Sequence, residues 1–313
     1  MHWKKLGFVF APDGLSDWMH SYAQVPTPVV FEDFIRVFFS CRPKEPVQGF
    51  PVAYIGYVDL DRENPTKVLS ISDQPVIPLG DPGTFDEFGT HPVSAVRIKD
   101  EIRLYYVGWT RLTNVPYNRA IGLALSRDNG NTFERFGKGP VLGATHDEPY
   151  LQQGPSVRIF NEKWRMWYLS GLDWVEHHGK FESIYQVFYA DSEDGIHWLR
   201  EGKPVLPTIE EYECQAGQAV EKIEGRYHMW FSFRPGLDFR NAARGYRMGY
   251  AVSRDMRTWD RDDSKAGISL SKSGWDSEMI CYPQTLVIED RILMFYSGNY
   301  FGRSGFGCAE LIY

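Results

Sequence analysis

The chain has 313 residues, of which 43% are hydrophobic and 15% aromatic, and its formal net charge is −7. This composition supplies a large apolar core and excludes a disordered chain. The mild charge, without a run of Lys or Arg, argues against a nucleic-acid partner. No apolar run is long enough to span a bilayer and no signal-peptide core follows the start, so the expected location is the cytoplasm, away from membranes.

The first predicted element is a strand at residues 3–10, which precedes a repeat. The repeat consists of an apolar strand, a short turn and a strand rich in aromatic residues. Its five copies are anchored at Thr27, Ser94, Ser156, Gln218 and Gln284, in steps of 67, 62, 62 and 66 residues. A third strand follows in residues 121–128, 187–194 and 248–255. A short fourth strand is expected at residues 74–77, 140–142 and 204–206.

Four antiparallel strands per repeat are typical of a propeller blade. The predicted fold is therefore an all-β, five-bladed β-propeller in one domain. Its blades are expected at about residues 18–79, 80–142, 143–206, 207–272, and 273–313 together with 1–17. The last repeat has no fourth strand of its own, so residues 3–10 are predicted to pair with residues 305–313 and close the ring. A loose N-terminal arm is the alternative.

The four cysteines, Cys41, Cys214, Cys281 and Cys308, include no close pair. Their spacing fits neither a metal site nor a disulfide framework, so reduced and mostly buried thiols are expected.

Gly-Pro-Ser-Val at residues 154–157, Trp-Tyr-Leu-Ser-Gly at 167–171 and the recurring Ala-x-Ser-x-Asp segments resemble blades of the five-bladed propeller glycoside hydrolases of families 32, 43, 68, 117 and 130. The resemblance implies a site at the centre of the ring that acts on sugars. Family 43 uses three carboxylates on successive first strands. The matching positions here are Val25, Ser94 and Gln153, so the resemblance does not carry that mechanism over. Residues 299–307 also resemble uncharacterised propellers that accompany surface-polysaccharide assembly enzymes.

Acidic residues precede the first strands, where a propeller opens its channel. Asp86, Glu148, Glu210 and Asp276 share one register of the repeat, and bonding of loop amides is the alternative role for them. Glu87, Glu213 and Glu278 lie one to three residues further along and are expected to point inward. Glycoside hydrolysis needs two carboxyl groups, roughly 5 Å apart for retention or about 6.5–9.5 Å for inversion. The predicted catalytic residues are Glu213, Glu278, Glu148 and Glu87.

Other polar and aromatic residues in the same segments and in the loops after the second strands are candidates for binding substrate. Arginine suits a phosphate or a sugar acid, and tryptophan stacks on sugar faces. The predicted binding residues are Asp86, His91, Gln153, Gln215, Tyr282, Arg119, Arg247, Arg303 and Trp109. For His91, a structural role in a strand competes with general acid–base chemistry.

His177 and His178 suggest zinc, but no third ligand lies at a useful spacing. A solvated loop is therefore expected, with no metal and no cofactor. The predicted function is hydrolysis or phosphorolysis of a glycoside or activated sugar, in surface-polysaccharide metabolism. A non-catalytic sugar-binding or scaffold protein and a sugar-modifying transferase are the alternatives. The expected ligand is a carbohydrate or sugar phosphate, and the oligomeric state is left open.

Overall fold

Five four-stranded antiparallel sheets, the blades, make up the computed structural model, which describes residues 1–313. In each blade the first strand is innermost and the fourth is outermost. Blade one contains β2 (Ser21–Val30), β3 (Phe34–Arg42), β4 (Tyr54–Asp61) and β5 (Val68–Ile71). Blade two contains β6 (Gly89–Ile98), β7 (Glu101–Thr110), β8 (Asn118–Ser126) and β9 (Glu134–Arg135). Blade three contains β10 (Gln152–Phe160), β11 (Lys163–His177), β12 (Lys180–Ser192) and β13 (Leu199–Pro204).

Blade four contains β14 (Cys214–Ile223), β15 (Arg226–Arg234), β16 (Arg247–Ser253) and β17 (Asp260–Arg261). Blade five contains β18 (Cys281–Ile288), β19 (Arg291–Ser297), β20 (Phe306–Ile312) and β1 (His2–Phe10). Helical structure is limited to two 3-10 turns, Ala242–Arg244 and Asp263–Lys265, and the short α1 (Asn299–Gly302). None of these segments has the length and hydrophobicity of a membrane span.

The five first strands contact one another in a closed circuit, from β2 through β6, β10, β14 and β18 back to β2. They therefore line the channel of a five-bladed propeller, which confirms the predicted fold. The aromatic second strands fill the space between blades: Trp167, Trp230 and Phe295 are all buried, in three different core clusters. The four cysteines are free and buried, as expected.

The ring closes through the N-terminus. β1 pairs antiparallel with β20, from His2 opposite Ile312 to Phe10 opposite Phe306. Trp3 packs edge-on against Trp230 of the preceding blade, with ring centres 5.0 Å apart. The prediction that the N-terminal strand completes the last blade is therefore confirmed.

The fourth strands lie earlier in the chain than predicted. The expected segments at residues 74–77, 140–142 and 204–206 come at or after the ends of β5, β9 and β13, and each bonds back to the third strand of its blade. Val76 donates to the Ile55 carbonyl, Val141 to Ile121 and Val205 to Val187, at 2.8–2.9 Å. These segments contain the buried residues Val76, Ile77, Leu142, Val205 and Leu206, whereas the outermost strands β5, β9 and β13 contain no buried residue. Hydrophobicity marked the buried segment and missed the edge strand before it.

Candidate functional site

A cavity of about 270 Å³ lies at one mouth of the channel, and all five blades contribute to its wall. We call it the channel cavity. The first strands contribute Gln24, His91, Gln153, Ala216 and Tyr282 to its lining, together with residues next to them in sequence.

A β-bulge in every first strand shapes the wall of the channel cavity. The pairing register shifts in β2, β6, β10, β14 and β18, each time at or just before the repeat anchor. Val25 (φ 55°), Gly154 (φ 60°), Gly217 (φ 63°) and Tyr282 (φ 55°) take left-handed backbone conformations there. At Gly217 an added Cβ would clash with the Tyr282 backbone, so only glycine fits. Bulges redirect side chains and are frequent beside binding sites, and here all five lie around the same space.

The channel cavity carries positive charge. Its nineteen lining residues include Arg42, Arg119 and His91, and no aspartate or glutamate. The Arg42 guanidinium lies 4.3 Å from the centre of the Tyr22 ring, and that of Arg119 lies 4.5 Å from the Tyr117 ring. Burial, with the charges of Arg119 and Arg42, lowers the pKa of His91 well below its ordinary value.

Two donors at the channel cavity have no partner in the protein. Arg119 Nη1 donates to Gln153 Oε1, whereas Arg119 Nε is buried without an acceptor. Trp109 Nε1, on a ring packed closely against Gly89, is likewise buried and unpaired. Buried donors are nearly always satisfied, so two unpaired donors beside one cavity suit a ligand that brings acceptors.

Farther along the first strands lies a second cavity of about 280 Å³, which is lined by residues of all five blades, and polar side chains in its wall bond to one another. Arg158 Nη2 donates to Glu221 Oε1 and to Thr285 Oγ1, both at 3.2 Å. Thr285 Oγ1 in turn donates to Glu221 Oε1 at 2.8 Å. This network joins blades three, four and five.

Most of the recurring acids take part in a structural arrangement that we call the blade clasp. In blade two, Asp86 is buried and accepts hydrogen bonds from Tyr106 Oη of the second strand (2.9 Å) and Arg135 Nε of the fourth strand (2.8 Å). The equivalent groups are Glu148 with Tyr168 and Arg200 in blade three, and Asp276 with Tyr296 and Lys5 in blade five. Each clasp fastens the second and fourth strands of a blade to the segment that enters its first strand.

Blade four has its clasp three residues later than the shared register predicted. Glu213, rather than Glu210, is buried there and pairs with Arg261 at 2.7 Å, while Phe231 replaces the tyrosine. Glu210 instead pairs with Arg244 at the surface. The expected inward orientation of Glu213 is therefore not found, because its carboxylate turns toward the outer strand.

The structure does not gather the four predicted catalytic acids around the channel cavity. Glu148 and Glu213 belong to clasps. Glu87 is partly exposed and accepts from Thr110 Oγ1 at 2.5 Å and from the Gly83 amide at 2.7 Å. Glu278 is also partly exposed, and its side chain bonds to Tyr300, whose pKa it raises. None of the four lines the cavity, and their catalytic role stays a prediction.

Of the predicted binding residues, five line the channel cavity: His91, Trp109, Arg119, Gln153 and Tyr282. The other four lie elsewhere. Asp86 is in a clasp, and Gln215 is buried, donating to Glu213 Oε1 and to the Pro207 carbonyl. Arg247 donates to the Gly245 and Glu278 carbonyls, and Arg303 is exposed.

Sequence reasoning missed Gln24, Arg42, Tyr117 and Tyr185, which also line the channel cavity. Arg42 is the last residue of β3, so a search of the loops for arginines passed over it. Tyr117 lies two residues before Arg119, which sequence reasoning did select. This two-residue spacing was the signal that could have identified Tyr117 as a second residue of the cavity wall.

No family model matches the chain. Two curated relatives are 36% identical over 313 residues, with 99% coverage of this chain and of each relative: "Uncharacterized protein Rv1502" and "Uncharacterized protein MT1551", from two strains of Mycobacterium tuberculosis. Among solved structures, an RGII complex of BT0996 superposes with a TM-score of 0.72 at 16% identity, over 98% of this protein and 90% of the other.

A glycoside hydrolase of the GH130 family of mannoside phosphorylases, which targets β-1,2 mannosidic linkages in Candida mannan, superposes with a TM-score of 0.69 at 15% identity, over 98% and 93% of the two chains. A thermostable family-43 glycoside hydrolase gives 0.65 at 14% identity, over 93% and 88%. These likenesses establish the shared propeller fold. At 36% identity over its whole length, the chain belongs to the protein family of Mycobacterium tuberculosis Rv1502.

Proposed function

We propose that this protein binds an anionic carbohydrate, a sugar that carries a phosphate or carboxylate group, in the channel cavity. The observation that carries the proposal is the meeting of Arg42 and Arg119 in a cavity wall without a carboxylate, beside a His91 that stays neutral because its pKa is lowered. The chain as a whole has a formal charge of −7, so this positive site is local. An anion is the ligand that such a site attracts.

The two guanidinium groups favour an anion on chemical grounds. Burial, and then the charge of Arg119, counteract the charged form of Arg42 and lower its pKa despite the nearby Tyr22. A bound anion would offset both effects. A guanidinium offers a planar fork of N–H donors that fits two oxygens of a phosphate or carboxylate, and Arg119 Nε has no acceptor within the protein.

The remaining wall suits the sugar ring. Trp109, Tyr117 and Tyr282 offer faces for C–H groups, and Gln24 and Gln153 offer amides for hydroxyls. The volume of about 270 Å³ is just below the range of about 300–1,000 Å³ usual for drug-sized ligands, which favours one sugar unit. The carbohydrate-active propellers that share the fold support a sugar as the ligand class.

Calorimetric titration tests the proposal. Sugar phosphates and uronic acids are compared with their neutral parent sugars. We expect binding by the anionic members alone, and an affinity loss of about 10- to 100-fold in Arg42→Gln and in Arg119→Gln, because each removes a charge-assisted hydrogen bond. Arg127→Gln is the matched control, since Arg127 is exposed and pairs only with Glu101.

Equal binding of neutral sugars, or full affinity in both arginine variants, would overturn the proposal. The same panel is assayed for release of reducing sugar or phosphate. Turnover by the wild type that is lost in Glu278→Gln or Glu87→Gln would favour hydrolysis or phosphorolysis over binding alone.

A further inference from the structure

A second cluster lies on the rim of the propeller, on two loops from neighbouring blades. The hairpin between β11 and β12 is the longest in the chain, and its last strand pair is His177 opposite Lys180. His178 (φ 51°) and Gly179 (φ 73°) form the two-residue turn. Positive φ at both central residues is the pattern of a type I′ turn. The two imidazoles therefore stand together at the tip of the hairpin, with ring centres 4.0 Å apart.

The third member, Asp238, comes from the loop between β15 and β16 of blade four. Its Oδ1 lies 2.9 Å from His177 Nε2 and 3.8 Å from His178 Nε2. The three ligating atoms all lie within 4.8 Å of one another. A tetrahedral zinc ion with bonds of about 2.0–2.1 Å holds its ligand atoms about 3.3–3.4 Å apart. The observed separations lie on either side of that value, so small side-chain rotations are enough.

We propose that His177, His178 and Asp238 bind a divalent transition-metal ion of the Zn²⁺ class, which ties the blade-three hairpin to the blade-four loop. Two imidazoles and one carboxylate are a ligand set for Zn²⁺, whereas Mg²⁺ and Ca²⁺ prefer oxygen ligands throughout. Three protein ligands leave the fourth position to water. The site is open to solvent, since His178 and Asp238 are both exposed, so an ion enters without any opening of the fold.

The metal would reinforce contacts that already join these loops. Arg240 pairs with Glu182, and Arg234 donates to the Ser183 carbonyl at 2.6 Å. Ser183 Oγ lies 3.1 Å from Tyr117 Oη, and Tyr117 lines the channel cavity. Arg244, which follows on the same loop, is held by Glu210 at 2.8 Å. The proposed ion therefore sits at the outer end of a chain of contacts that reaches the cavity wall.

The test uses the full chain without a polyhistidine tag, stripped with a chelator and dialysed. Zn²⁺ is titrated by calorimetry, and Co²⁺ is added as a spectroscopic probe of tetrahedral coordination. We expect one site per chain, a visible Co²⁺ band displaced by Zn²⁺, a melting temperature raised by Zn²⁺, and no response to Ca²⁺ or Mg²⁺. Each of His178→Asn and Asp238→Asn should weaken binding at least about 10-fold. Asparagine at 178 keeps a residue that accepts the left-handed turn conformation.

The matched controls are His146→Asn and Asp147→Asn. They alter another exposed histidine–aspartate pair, with an Nε2–Oδ2 distance of 3.1 Å and no second histidine. Both should bind Zn²⁺ like the wild type. Stoichiometric Zn²⁺ binding that survives in His178→Asn and Asp238→Asn would overturn the proposal. So would a wild type that binds no Zn²⁺, or one that responds equally to Ca²⁺.

Discussion

The clasp of blade four allows the sharpest test of how the acids of this propeller act. Arg261 is almost fully buried, with 3% of its side chain exposed, and the Glu213 side chain is wholly buried. Arg261 Nη1 donates to Glu213 Oε1 and to the Pro207 carbonyl, both at 2.7 Å, and Nη2 donates to Asp263 Oδ2 at 2.8 Å. Its guanidinium also lies over the Phe231 ring. Arg261→Met keeps the length of the stem and removes the charge.

The variant leaves Glu213 buried without its cation, with only Gln215 Nε2 and the Ile209 amide as donors. Breaking a buried ion pair from one side costs about 3–5 kcal/mol, because an uncompensated charge remains. For a chain of this size, about 2 °C per kcal/mol then predicts a fall in melting temperature of about 6–10 °C. Removing both partners, in Arg261→Met with Glu213→Gln, should cost less than the two single changes together.

Urea unfolding followed by circular dichroism measures these free energies. Arg127→Met is the comparison, since it breaks an exposed pair with Glu101 at 3.2 Å and should cost at most about 0.5 kcal/mol. A loss below about 1 kcal/mol for Arg261→Met would refute the structural role of the clasp. The variant Glu213→Gln then distinguishes a structural from a catalytic role of Glu213. If the acid only forms the clasp, the variant changes stability alone, whereas loss of a catalytic acid also lowers turnover.

Two further predictions follow from the fold and the channel cavity. Deleting residues 1–10 removes β1, the contact of Trp3 with Trp230 and the pairing of Lys5 with Asp276; the melting temperature should fall by at least about 10 °C, and unchanged melting would contradict closure by this strand. For His91, the folded-state pKa lies well below 6.5, because of burial and the charges of Arg119 and Arg42. The unfolded chain therefore takes up a proton that the folded chain refuses as the pH falls through about 6.5, and stability drops. His91→Asn should lose less stability than the wild type between about pH 7.5 and pH 5.5, and equal losses would show that His91 does not contribute.

The fold could be predicted because each blade repeats the same local packing requirements. The second strands must fill the space between blades, so bulky residues such as Trp167 and Trp230 recur at a fixed spacing. The N-terminal strand has no partner in its own repeat and the last repeat has no fourth strand, so the two were expected to pair. β1 does pair with β20. The outermost strands have no such packing requirement. β9 and β17 have two residues each and face solvent, so no hydrophobic pattern marks them.

The candidate site was less predictable, because its charges are balanced over long distances in the chain. Asp86 and Glu213 were predicted as site residues because their ion-pair partners could not be recognised in the sequence. Those partners, Arg135 and Arg261, lie 49 and 48 residues later. For Asp276 the partner is Lys5, 271 residues away. His177 and His178 lacked a third ligand for the same reason, since Asp238 approaches them only once blades three and four are packed side by side.

The bulges help to fix the shape of the channel cavity. Val25 has a φ of 55°, which is unusual for a β-branched residue and costs on the order of 1–3 kcal/mol. Side chains of the neighbouring blade hold such residues in place: Ser297 Oγ accepts from the Val25 amide, and Ser232 Oγ from the Tyr282 amide, both at 3.2 Å. A strained wall fixed by the next blade is preorganised, which lowers the entropic cost of binding.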